Sequence, residues 1–241
     1  MEPSFTRAGQ FPDTPWTQVR LAGGADTLAR ESFGTLCRLY WAPLYGFARR
    51  SGMAPEEAED VAQSFFLHLM QEETIQTADS EKGRMRSFLL GSMKRFISNW
   101  RRDAAAVKRG GRLQRVEFDT REVEAVCARS ADGLSADAFY ERRWAVALLE
   151  HAMRALEAEQ VRQGKSEHFR VLSEFLTSHG KEAHHAEAAA KLGQSEGSVR
   201  VAVHRLRTRY RQLLREQVAL TVGGAAEVED ELRHLLELFG N

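Results

Sequence analysis

Apolar residues recur at spacings of three and four along most of this 241-residue chain, the period of an amphipathic helix rather than of a strand. Phe33, Leu36, Cys37 and Tyr40 form the first such stripe. Pro43 either starts a new helix or kinks the first, and Ser51-Gly52 ends it. Ala54-Pro55-Glu56-Glu57 opens a second helix, with proline in the first turn and acids facing the helix dipole. Val61, Phe65 and Leu69 run along it, widened by Ala58, Ala62 and Phe66. A polar stretch, Thr77 to Arg86, precedes a third helix. There Leu89, Met93, Phe96, Ile97 and Trp100 form the apolar stripe, while Lys94, Arg95, Arg101 and Arg102 lie on other faces. Trp144, Leu148, Ala152 and Leu156 mark a connecting helix, interrupted at Gln163-Gly164-Lys165.

No alternating strand pattern and no internal repeat occurs, so the expected fold class is all-α, with two small helical domains joined by a linker. Residues 1–25, rich in proline and ending at Gly23-Gly24, are expected to be a flexible arm. A first helical domain spans 26–111, closed by Gly110-Gly111. A linker with its connecting helix follows over 112–164, weakest in periodicity between 112 and 137. The second domain spans 165–220, and an acidic amphipathic tail runs from 221 to 241. In that tail Val228, Leu232, Leu235, Leu236 and Phe239 make a helical stripe. Packing on the body is its expected fate; covering a basic face or binding a partner are the alternatives.

Within the second domain, His185 to His204 accommodates a helix-turn-helix whose turn lies at Gly193. A tight turn between two crossing helices needs one residue at positive φ, which glycine adopts without strain. Ala189, four residues earlier, is small where the helices touch. Leu192, Val199 and Val203 fall where apolar side chains bury between them, and Ser195 suits the N-cap of the second helix. The outward face carries Glu196, Ser198, Arg200, Val201, His204 and Arg205. In this motif such residues meet base edges, while more distal basic residues such as Arg207, Arg209 and Arg211 meet phosphates. A plain helical hairpin with solvated arginines is the simpler alternative. Six arginines between Val199 and Arg215 without one acid favour DNA.

Composition changes this picture little, at 43% hydrophobic and 28% charged residues. Net charge is zero, but its distribution is uneven: Lys94 to Arg115 holds eight basic residues against Asp103 alone. Two basic patches on a neutral chain imply two polyanion contacts. No apolar run approaches a membrane span, so no membrane insertion is expected. Met1-Glu2-Pro3 does not open a signal peptide. Cys37 and Cys127 make neither a disulfide framework nor a zinc spacing, which points to a reducing cytoplasm. His179, His184 and His185 have no carboxylate or thiol partner at ligand spacing, and no phosphate loop or nucleophile elbow occurs. No enzyme activity, metal or cofactor is therefore expected.

With both patches placed, the chain resembles a bacterial RNA polymerase sigma factor of the extracytoplasmic-function (ECF) group. Glu59-Asp60-Val61-Ala62-Gln63-Ser64-Phe65-Phe66-Leu67 is similar to the family's D-L-V-Q-E-x-F-L element. Phe88-Leu89-Leu90 through Asn99-Trp100-Arg101-Arg102 resembles the helix that follows, and Ser195-Glu196-Gly197-Ser198-Val199-Arg200 is similar to S-E-G-T-V-K. The resemblance implies that Glu59, Asp60 and Gln63 bind the coiled coil of the polymerase β′ subunit. It implies that Lys82, Arg84, Arg86, Lys94, Asn99, Arg101 and Arg102 contact the −10 promoter element. Ser195, Glu196, Ser198, Arg200, Val201, His204, Arg205 and Arg209 would then contact the −35 element. Phe96 and Trp100 could stack on unpaired bases, although their place on the apolar stripe favours packing. Core polymerase and promoter DNA are the implied partners, with an anti-sigma protein a further one that the family allows. The sequence departs from the family in the small residues Val61-Ala62, in Ser198 and Arg200, in the long link and in the added tail. A helix-turn-helix regulator that never engages polymerase would explain the C-terminal half equally well, but leaves Asp60 and the first basic patch without a purpose.

Overall fold

A computed structural model describes residues 27–71, 84–106, 121–129, 133–177 and 183–240. The N-terminal arm, Lys82 and Gly110-Gly111 lie outside the described residues. Ten helices and no strand occur among the described residues: α1 (Thr27–Arg50), α2 (Pro55–Gln71), α3 (Met85–Ala106), α4 (Arg121–Arg129), α5 (Ala136–Arg162), α6 (Ser166–Leu172), α7 (Glu174–Thr177), α8 (Ala183–Leu192), α9 (Glu196–Ala219) and α10 (Ala225–Glu237). The fold is all-α, and no described helix is long and apolar enough to cross a membrane. The described residues divide into two compact units, one drawn from the chain up to Ala147 and again from Val218 onward, the other Leu148–Gln217.

In the first unit the apolar stripes of α1, α2 and α3 meet. Tyr40, Leu44, Tyr45, Val61, Phe65, Leu89 and Met93 are buried, and Trp41 stacks on Phe66 with ring centroids 6.1 Å apart. Pro43 lies inside α1, which continues past it to Arg50. Helix α5 joins this core through Phe139, Tyr140 and Trp144. Its approach to α1 is close at Gly46, where a Cβ atom would stand 2.5 Å from Phe139 Cε1.

Two further segments enter this unit. Helix α4 falls inside the weakly periodic stretch 112–137. Val123 is buried there, and Glu124 receives Arg49 Nε at 2.7 Å, Arg49 Nη2 at 2.6 Å and the Tyr45 hydroxyl at 2.7 Å. Nonlocal pairing, rather than a long amphipathic stripe, holds this nine-residue helix. The tail forms α10 and packs on the body of its unit, burying Val222, Val228, Leu235 and the carboxylate Glu231.

The second unit is a small helical domain around Leu156, Phe169, Leu172, Phe175, Ala188, Ala189, Val199, Val203 and Leu206. Gln163-Gly164-Lys165 separates α5 from α6, and α8 and α9 follow with a three-residue connection.

Candidate nucleic-acid interface

The connection between α8 and α9 has the geometry of a turn closed by its own backbone. Gly193 takes φ +62°, the left-handed region. The Gln194 amide then donates to Ala189 O at 3.0 Å and the Gly193 amide to Ala190 O at 3.4 Å, the paired bonds that satisfy the last carbonyls of a helix. Two residues later Ser195 Oγ accepts from the Ser198 amide at 3.2 Å, capping α9. Ala188, Ala189, Val199 and Val203 are buried together in the core of this unit, which leaves the outer face of α9 to solvent.

That outer face carries Glu196, Ser198, Arg200, Val201, His204 and Arg205, all exposed. Val201 is 51% exposed, a methyl-bearing surface of the kind that meets a thymine methyl. Arg200 lies 3.8 Å from Glu196, both side chains more than half exposed, a pair that solvent weakens and a phosphate or base edge readily displaces. By the helical period, Arg200, His204, Arg211 and Arg215 share one side of α9.

Two arginines of this run are committed elsewhere. Arg209 donates Nε to Glu159 Oε2 at 2.9 Å and Nη2 to Glu159 Oε1 at 2.6 Å, with Glu216 at 3.1 Å. Hydrogen bonding to Glu159 holds the Arg209 charge well above its ordinary pKa, and Arg209 in turn holds the Glu159 carboxyl below its own. Arg209 therefore anchors α9 to α5, and a phosphate would have to displace two carboxylates to reach it. Arg207 donates to Phe175 O at 2.8 Å and is half-buried. Neither pairing has a local signature, since Glu159 lies fifty positions from Arg209.

In the first unit, Lys94, Asn99, Arg101 and Arg102 are exposed on α3. Lys94 pairs with Asp137, Arg102 donates to Asn99 Oδ1, and Arg101 Nη2 donates to Ser51 O at 2.6 Å. These side chains make a basic, solvent-facing strip. Phe96 and Trp100 are half-buried, with Phe96 5.5 Å from Phe65 and 6.1 Å from Trp100 between ring centroids.

Arg86 does not join that strip. It is buried, donates Nε to Glu231 Oε1 at 2.6 Å, pairs with Glu141 and lies over the Trp144 ring at 5.0 Å. Burial opposes its charge, but Glu231 and Glu141 outweigh that and raise its pKa. Arg84 is partly exposed and gives Nε to Glu231 Oε2 at 2.9 Å. The polar stretch expected to run to Arg86 gives way to α3 at Met85, so Arg86 is a buried residue of the first helical turn rather than part of a solvent-facing loop.

On α2, Glu59, Asp60 and Gln63 are half-buried and share one side of the helix, with Gln63 Nε2 donating to Glu59 Oε1 at 3.2 Å. The opposite side, through Ala58, Val61, Ala62 and Phe65, is buried. A polar, acid-bearing face is thus held on a rigid element, the arrangement that steers and registers a charged partner helix.

Among the described residues, an exposed helix face beyond a tight turn and a separate basic helix are thus presented to solvent. Compared with known families, residues 36–107 match the model described as Sigma-70 region 2, a span running from α1 through α3. The match supports a sigma-70 family factor. No curated protein and no solved structure matches the chain.

Proposed function

We propose that this chain is a transcription initiation factor of the ECF type, which binds core RNA polymerase and directs it to promoters. Glu59, Asp60 and Gln63 engage the β′ coiled coil. Arg84, Lys94, Asn99, Arg101 and Arg102 serve the −10 element, together with Lys82. The outer face of α9, from Ser195 to Arg205, reads the −35 element, with Arg211 and Arg215 on phosphates. The carrying observation is the sigma-70 region 2 match over the three helices that hold both the α2 face and the α3 strip. The capped turn at Gly193 and the exposed face of α9 independently support a second DNA contact. The factor supplies recognition rather than chemistry and acts inside the cell beside the chromosome, where an anti-sigma protein would be its natural regulator.

The test is reconstitution. Purified chain is added to core polymerase and run-off transcript is measured from a promoter selected by the complex. Binding to core together with promoter-dependent product is expected. DNA binding without any binding to core would instead establish a helix-turn-helix regulator that works apart from polymerase.

A further inference from the structure

Among the described residues only two charged side chains are buried, Arg86 and Glu231, and they bond to each other. One comes from the first turn of α3, the other from the middle of the C-terminal helix α10, 145 positions later. An unpaired carboxylate in such a place is strongly disfavoured. A well-packed apolar residue there would dock α10 at least as stably as an ion pair does. Docking alone therefore does not require a charge at this position.

Its effect is concentrated at the start of α3. Glu231 receives Nε of Arg86 on one oxygen at 2.6 Å and forms an ion pair through the other with Arg84, whose Nε lies 2.9 Å away. The Met85 amide, one of the donors that the first turn of a helix leaves without a partner, donates to Thr221 O at 3.1 Å. His234 of α10 stands 3.2 Å from Glu141, which also binds Arg86. Arg86 is enclosed by these groups and Trp144, whereas the Arg84 side chain keeps 32% of its exposure. The C-terminal segment thus fixes the first turn of α3 and restrains an arginine that remains at the surface.

We infer that Glu231 is a positioning residue for the −10 contact, acting through Arg84 and the first turn of α3; this rests on the promoter reading above. A guanidinium already held by Nε loses less rotamer freedom when it meets DNA. The tail is then a working part of the promoter-binding unit, although it lies beyond the helix-turn-helix in sequence.

The experiment uses the full chain bound to core polymerase. It compares affinity for a promoter fragment carrying both elements with affinity for the same fragment with its −10 sequence scrambled. Glu231→Gln is expected to reduce that ratio about tenfold, the scale of one charge-assisted contact, without changing affinity for the scrambled fragment. Arg84→Gln should give a similar loss, and the double variant no more than either single, because both act on one contact. Arg84→Lys changes only a partly exposed side chain and retains charge, so it tests the link without disturbing the buried pair. It too should lose discrimination. Full discrimination in Glu231→Gln or Arg84→Lys, equal losses on both fragments, or losses that multiply in the double variant would each overturn the inference. A wild-type chain with no −10 preference would remove the promoter reading itself, and the inference with it.

Discussion

Three donors converge on the Glu124 carboxylate, two from Arg49 and one from Tyr45. Hydrogen bonds from Arg49 outweigh burial and hold this carboxyl below its usual value of 4.5. A carboxyl depressed in the folded state stabilises it fully above the unfolded value, and the gain is lost as pH falls through the depressed one. Glu124→Gln should therefore melt at a lower temperature than wild type at neutral pH, with the gap closing as pH drops below the ordinary carboxylate range. A gap unchanged through the acid range would remove the pair from stability. Gly46 sets opposing effects against each other. Alanine in a helix is favoured over glycine by about 1 kcal/mol, but a methyl group 2.5 Å from the buried Phe139 ring forces core displacement of about 1–3 kcal/mol. Overpacking wins, so Gly46→Ala should lower the denaturation midpoint, and a raised midpoint would show that Phe139 turns aside freely.

Helices whose cues are local were legible element by element. Proline and acids opened α2, and four-residue spacing marked its buried face. Gly193 and Ser195 marked the turn between α8 and α9 because a positive φ and an N-cap each demand particular residue types. Gly193→Ala should destabilise the second unit by about 1–2 kcal/mol through strain at φ +62°. Ser195→Ala should cost about 1 kcal/mol through the lost cap. Thermal melts of both variants check this, and two unchanged midpoints would mean that tertiary packing alone sets the turn. Helix α4 and the ion pair that anchors α10 were not legible in the same way, although the apolar stripe of the tail marked it for packing. Their partners, Arg49 for Glu124 and Arg86 for Glu231, are 75 and 145 positions distant, and no period along a chain encodes a contact of that range. The ion pairs of Arg86 and Arg209 were equally illegible, because their carboxylates lie far away in sequence.

Zero net charge hides how the molecule divides its arginines between those that hold it together and those that, on the proposed function, meet DNA. Each phosphate neutralised by a side chain releases counterions and adds about 0.9 to the slope of log affinity against log salt. An arginine bound by carboxylates through Nε and both Nη nitrogens, as Arg209 is, adds little. Arg211 is exposed on the same side of α9 as Arg200 and His204, whereas Arg209 is held by Glu159 and Glu216. Arg211→Ala should thus lower the salt slope by about one and leave thermal stability within about 0.5 kcal/mol, the usual range for a surface change. Arg209→Ala should do the reverse, lowering the melting temperature while affinity at fixed temperature keeps its salt slope. Titrating −35 DNA at several salt concentrations separates the two, and a slope that falls for Arg209→Ala but not for Arg211→Ala would exchange their roles. Six arginines in one acid-free run then resolve into an exposed set, placed to serve the proposed DNA contact, and a bracing set turned toward α5 and α7, a division that charge counting alone cannot make.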